Sequence, residues 1–455
     1  MTPKSAADRR KNLETIYPLA PLQEGILFHC LTSPDTGTYM PQIAFHLSGP
    51  IDTGALRLCW EQILSRHQSL RAGIHWEERD EPFQVIYRHV PIIWEELDWN
   101  ASSTTTQSEQ LKALYARNRE TPFDLRRPPL LRIHWIRLGG DQHILVLCYH
   151  HIIMDGWSTS QMIGEAFSLY HQAIGAPVPP LPAPRPYGDY IKWLKTRDHE
   201  GSKRYWQDYL AGTPGPSLVF GNEGGAHDFA RTEWAIPKPL VHKLNELLGR
   251  EGLTLSTVLH GVLGLQIARH VNRNDVFFGS ATSGRSASLP GATSMVGLFI
   301  NALPVRIRFE GTQPVSDWLS ALQRQQAATM DHEYVALRYI QKDLGTLFDC
   351  LLVIENYPTS IGGAPSSDIE LTDIEFDEWT HFPLTLLVAT GEENMKLILR
   401  HDLSLLPPDA IDAFINAFAG LLEQIVETPN APIRSLIGDV RKAAQLRPTS
   451  VQTTA

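Results

Sequence analysis

Residues 143–153, HILVLCYHHII, constrain the fold more than any other stretch of this chain. They are almost wholly apolar and rich in β-branched side chains, yet too short for a capped helix. The segment therefore reads as a strand buried on both faces. A turn follows at Asp155-Gly156, then a helix capped by Ser158, with Met162, Ile163, Ala166, Phe167 and Tyr170 on its buried side, running up to Gly175. Over residues 55–70, Leu56, Trp60, Ile63, Leu64 and Leu70 fall at helical spacing, with Asp52 or Thr53 placed to cap the start. The second half repeats the mixture, with a helix over 256–271 that is apolar nearly all round and strands over 276–281, 303–308, 350–355 and 395–401. Strands and helices alternate in both halves, which makes the class α/β.

A chain of 455 residues exceeds what one core holds and predicts two lobes. Six prolines between Pro177 and Pro186 form a stiff extended spacer, which places a connector at 177–187 between an N-terminal lobe, 16–176, and a C-terminal lobe, 188–440. Residues 1–15 read as a polar tether and 441–455 as a linker to a following domain. The net charge of −10 is spread without runs of like charge, which argues against a nucleic-acid partner. Cys30, Cys59, Cys148 and Cys350 lie far apart and suit a reducing compartment. No secretory leader follows Met1, and no apolar run approaches the roughly 18 residues of a membrane span. The expectation is a cytoplasmic protein with no membrane partner.

Chemistry concentrates at residues 149–157, YHHIIMDGW. Neighbouring side chains of the strand over 143–153 point to opposite faces, so of His150 and His151 one faces a cavity while the other faces the core. A histidine there can take a proton near neutral pH, although such a pair can equally be a satisfied structural feature. Asp155 can hold the loop by pairing with a cation, and Gly156 lets backbone N–H groups at the helix start approach a developing oxyanion. Scattered Cys and His show no paired ligand spacing, so no metal is expected. Phosphate-cradling, dinucleotide-binding and nucleophile-elbow motifs are absent from the sequence.

HHIIMDG matches the HHxxxDG signature of the condensation domains of nonribosomal peptide synthetases, relatives of chloramphenicol acetyltransferase. Residues 17–29 (YPLAPLQEGILFH), 66–71 (RHQSLR), 295–306 (MVGLFINALPVR), 332–341 (HEYVALRYIQ) and 353–358 (VIENYP) resemble further motifs of that family, in family order. The resemblance implies two chloramphenicol acetyltransferase-like lobes in a V-shaped arrangement, with a tunnel that admits a phosphopantetheine arm at each end. It implies that His151 is the functional histidine and His150 mainly structural. Asp155 then pairs with Arg285 of the other lobe's Ser283-Gly284-Arg285 segment.

The implied activity is N-acyl transfer, an amide bond between an acyl thioester and the amine of a carrier-bound aminoacyl group, with the Gly156 N–H at the oxyanion. Trp157, Asn301 and Arg71 are candidates for the tunnel wall, each with a plainer reading: packing, a turn residue and an exposed helix-end arginine. His29 and His332 read as scaffold hydrogen-bonders. No permanently bound cofactor is expected, and the partners are a downstream peptidyl carrier domain and an adenylation domain reached through the C-terminal linker. The short stretch before the first motif suggests a starter domain that takes its donor from acyl-coenzyme A in lipopeptide synthesis. An elongating domain with a peptidyl-carrier donor, an epimerisation domain and a silent recruitment module remain the alternatives.

Overall fold

A computed structural model of the chain describes residues 11–32, 37–77, 81–220, 229–355, 369–390 and 395–438. The 441–455 linker, residues 1–10 of the tether and residues 356–358 of the VIENYP motif lie outside the described residues.

The chain divides into two compact units. The first runs to Arg197 and takes in Ser283–Ile300 and the strand Glu370–Asp377; the second begins at Asp198 and holds the remaining strands and helices. The division does not fall at the prolines. Residues 177–187 belong to the first unit, where Arg66 donates to the Pro182 carbonyl at 2.8 Å and Gln172 to that of Pro179 at 2.9 Å. An extended segment with few backbone partners of its own is held here by side chains of the helices beside it.

In the first unit a five-stranded sheet runs in the order Glu370–Asp377, Gln42–Ser48, Gln142–Tyr149, Leu131–Gly139, Trp94–Asp98. Only the last pairing is parallel. Side chains alternate across the pleat: Phe45, Leu47, Leu145 and Leu147 pack against Trp60, Ile63, Met162 and Tyr170 of the helices Thr53–Arg66 and Gly156–Ala173. Ala44, Ile144 and Val146 face the helix Thr104–Glu120 through Leu111, Leu114 and Tyr115. Helices on both faces explain why the central strand is apolar from Ile144 to Cys148. A three-stranded antiparallel sheet, Leu13–Pro18, Phe83–Tyr87 and Ala72–His75, completes the unit.

The second unit is built on six strands in the order Asn301–Arg308, Asp275–Thr282, Cys350–Glu355, Leu384–Thr390, Met395–Asp402, Phe229–Ala235. Cys350–Glu355 is parallel to both neighbours. The helix Leu255–Val271 is buried on every side because the sheet, Val315–Thr329 and Pro408–Glu427 all pack on it. On the other sheet face, Phe277, Leu303 and Leu351 meet Trp206 and Leu210 of the helix His199–Leu210. Among the described residues no helix is long and apolar enough to cross a membrane.

Two local expectations are corrected. The central strand ends at Tyr149, four residues early, and residues 151–153 form a turn of 3₁₀ helix. The next helix is capped by Asp155 rather than Ser158, its Oδ1 accepting the Ser158 N–H at 2.8 Å. Hydrophobic pattern cannot mark that stop, because the turn is as apolar as the strand; a hydrogen bond from the Ile152 N–H to the His150 side chain makes it.

Candidate active site

The turn is made by His150. Its Nδ1 accepts the Ile152 N–H at 3.2 Å, and its N–H reaches the Leu130 carbonyl at 2.9 Å. With Nδ1 accepting, the ring carries its proton on Nε2, which lies 3.6 Å from Cys30 Sγ. Burial, with the adjacent His151 charge, pushes the His150 pKa down to about 3. It is a neutral imidazole that shapes the backbone.

His151 stands one residue on, its own N–H bonded to the Tyr39 carbonyl at 2.8 Å. The two rings diverge, as a strand would also make them, but here through the turn. The Tyr149 ring lies edge-on to that of His151, centroids 6.3 Å apart. Nδ1 is buried and, among the described residues, makes no hydrogen bond to another residue, while Nε2 lies 3.5 Å from Oε1 of Glu378. Burial disfavours the charged imidazole, but Glu378, with smaller contributions from the residue's own backbone and from Asp155, outweighs it and holds the pKa above the ordinary histidine value.

Asp155 is fully buried and saturated. Oδ1 accepts from Ser158 N at 2.8 Å and Arg285 Nη2 at 3.0 Å, and Oδ2 accepts from Phe299 N at 3.0 Å. Arg285 also donates to Ser158 Oγ at 2.8 Å, Met295 O at 3.0 Å and the Ala292 carbonyl, and its guanidinium lies 4.1 Å from the Phe299 ring centroid. The expected pair is present, but not between lobes: Arg285 lies on Ser283–Ile300, which folds into the same unit as Asp155. Gly284 makes the approach possible. It sits at φ +61°, and a Cβ there would come within 1.8 Å of the Phe299 carbonyl oxygen.

Gly156 opens the helix that Asp155 caps, so its N–H is among the four that no intrahelical carbonyl satisfies. Trp157 donates to Thr293 O at 3.0 Å, the packing role. Arg71 is no exposed helix end: it is buried, and donates to Leu64 O at 2.9 Å, Glu14 at 2.6 Å and the Tyr87 carbonyl. It therefore pins the first strand to its neighbours. Asn301, in the second unit, spends its amide on Glu333 O and Val335 O at 2.8 and 2.7 Å. His332 bonds Ser202 Oγ at 2.8 Å and stacks on Tyr205. His29 packs beside Tyr39. His46, Asp373 and Glu375 bring ligand-type atoms within 4.8 Å of one another; His46 Nε2 and Glu375 Oε1 form a cross-strand hydrogen bond at 2.9 Å.

Glu378 escapes sequence reasoning. It follows the strand Glu370–Asp377, which joins the sheet edge beside Gln42–Ser48. Register does the rest: Asp377 lies opposite Gln42, and Gln42 opposite Cys148, so the next residue is level with the start of the histidine turn. Asp377 is pinned by an ion pair with Arg119 and a hydrogen bond from Gln42 at 3.0 Å.

Residues 13–446 match the family model described as Condensation domain. The chain is 35% identical over 434 residues to one of the proteins that make up the linear gramicidin synthase of Brevibacillus parabrevis, covering 93% of this chain and 8% of that protein. It is 32% identical to bacitracin synthase 3 of Bacillus licheniformis, covering 91% and 7%. Among solved structures, the condensation domain from the monacolin K polyketide synthase superposes with TM-score 0.79 at 17% identity, covering 93% of this chain and all of that one. The first condensation domain of the calcium-dependent antibiotic synthetase gives 0.77 at 16%, covering 93% and 98%. The chain belongs to the condensation-domain family of the nonribosomal peptide synthetases. It spans less than a tenth of the length of these curated relatives.

Proposed function

We propose that this domain forms an amide bond between a thioester-bound acyl donor and the α-amine of an aminoacyl group on a carrier domain's phosphopantetheine arm. One observation carries the reading: of the histidine pair only His151 keeps a partly exposed side chain, its Nε2 beside the Glu378 carboxylate, shortly before a helix start whose Gly156 N–H no intrahelical carbonyl satisfies. The attacking nitrogen must be neutral. Its attack forms the C–N bond, the C–S bond breaks, and the proton lost by nitrogen leaves with the thiol. His151 Nε2 is the acceptor for that proton, and the Gly156 N–H faces the carbonyl oxygen as it becomes negative. His150, Asp155 and Arg285 hold the turn and helix start in register, and no permanently bound cofactor takes part.

For the donor, the relatives named above are large peptide synthases, which supports a peptidyl or aminoacyl group delivered on a carrier arm. Acyl-coenzyme A finds no comparable support, since the starter expectation rests on the position of the first motif, which decides nothing in a domain that spans so little of its relatives. The same relatives support a carrier domain and an adenylation domain as partners. The test is an incubation with an aminoacylated carrier protein and either a peptidyl-carrier or a medium-chain acyl-coenzyme A donor, read by mass spectrometry. Amide product from the carrier donor alone is expected; product from acyl-coenzyme A alone overturns the donor assignment, and no product from either overturns the reaction.

A further inference from the structure

His151 does not stand alone at the end of the central strand. The nitrogen best placed to receive a proton is Nε2, since Nδ1 is buried, and an oxygen of Glu378 lies 3.5 Å from it. An amine that approaches Nε2 therefore also approaches a carboxylate. From the reaction proposed above, on which this step rests, we infer that Glu378 is the anionic subsite for the α-ammonium group of the acceptor.

The chemistry requires such a group. An α-amine has an ordinary pKa of about 7.7 to 8.0, so at neutral pH much of the acceptor arrives as a cation that cannot attack. A carboxylate beside the base binds that cation and aligns one N–H with Nε2. The groups that bear on His151 are Glu378, Asp155, the neutral His150 and the Tyr149 ring. Before the acceptor binds, Glu378 favours the imidazolium. When the ammonium takes the carboxylate, that support is shared with a second cation, and His151 moves toward the neutral form in which it can accept a proton. The ammonium nitrogen gives up two protons on the way to the amide: the first leaves through Nε2 to solvent and frees the amine, and the second passes from the attacking nitrogen to Nε2 and on to the departing thiolate, so no co-reactant is needed.

Position supports the assignment. Glu378 is partly exposed, at 22% for its side chain, beside His151 at 13%. It is held there by the Arg119 and Gln42 contacts of Asp377, so the carboxylate is presented from an anchored strand end.

Steady-state kinetics of Glu378→Gln test it, with donor and acceptor varied separately. Loss of one charged hydrogen bond predicts a KM for the aminoacyl carrier raised roughly tenfold or more, an unchanged KM for the donor, and an acid limb of kcat/KM moved to lower pH. Glu378→Asp should recover part of the acceptor KM. An unchanged acceptor KM, or equal rises for both substrates, overturns the subsite. Should the variant misfold, equilibrium binding to the unaltered domain decides: a pantetheine amide of glycine should bind roughly tenfold tighter than that of glycolic acid, and equal binding overturns it. Activity that survives His151→Ala would instead sink the reaction on which the subsite rests.

Discussion

At the scale of single residues, the site separates two histidines that the sequence presents as twins. His150 is neutral because burial, with the adjacent His151 charge, holds its pKa down to about 3; His260, buried against Ser280, is likewise held at about 4 by burial. Both regain an ordinary value near 6.5 on unfolding, so the unfolded chain binds protons first as pH falls. Their stabilising effect is complete above pH 6.5 and declines toward pH 3 to 4, by up to about 1.4 kcal/mol per pH unit for each group. His151 has the opposite sign: its raised pKa stabilises below 6.5, and that effect fades as pH rises through the folded value. Thermal melts from pH 7 to pH 4 should show a falling Tm, with a shallower slope in His260→Gln; parallel slopes in both proteins would refute the buried neutral histidine. The motif made His151 legible in the sequence and left Glu378 hidden, because the contact between them depends on a strand pairing across more than 300 residues.

Elements explain why that turn holds. The Asp155 cap, the Arg285 guanidinium and the Phe299 N–H form one buried network that fixes the helix Gly156–Ala173 against Ser283–Ile300. Asp155→Ala leaves a buried guanidinium without its carboxylate, at a cost of about 3 to 5 kcal/mol. A Tm lowered by many degrees, or insoluble protein, is expected from Asp155→Ala and from Arg285→Ala, and a double variant less destabilised than the two losses added together. Melts indistinguishable from wild type in both single variants would show that the pair contributes nothing. Element types were legible wherever pattern and length agreed: the strand Cys350–Glu355 and the helix Leu255–Val271 lie within a residue of expectation. Ends were less so. Apolar residues run through Tyr149 into the 3₁₀ turn, and the helix Thr53–Arg66 gives way to a second 3₁₀ turn at Gln68–Arg71 while the apolar spacing continues.

For the molecule as a whole, length predicted two α/β units and the fold has them, but prolines misplace their boundary. A compact unit here is not a continuous stretch of chain: Ser283–Ile300 and Glu370–Asp377 leave the second unit's sequence to complete the first. Those excursions carry Arg285 and lead to Glu378, so the site is assembled from three separated parts of the sequence. No local pattern encodes such a return, since the strand Glu370–Asp377 is half-exposed and acidic at its edge position. Family motifs named the segments without telling which unit each would join. On the proposed reading, His151 in this assembly drives amide formation between two thioester-borne substrates. Single-turnover formation of the amide by His151→Ala, at saturating concentrations of both loaded carriers, tests that role most directly. A rate roughly 10² below wild type or lower is expected, with an unaltered melting profile at pH 7; a rate equal to wild type from a folded variant would contradict it.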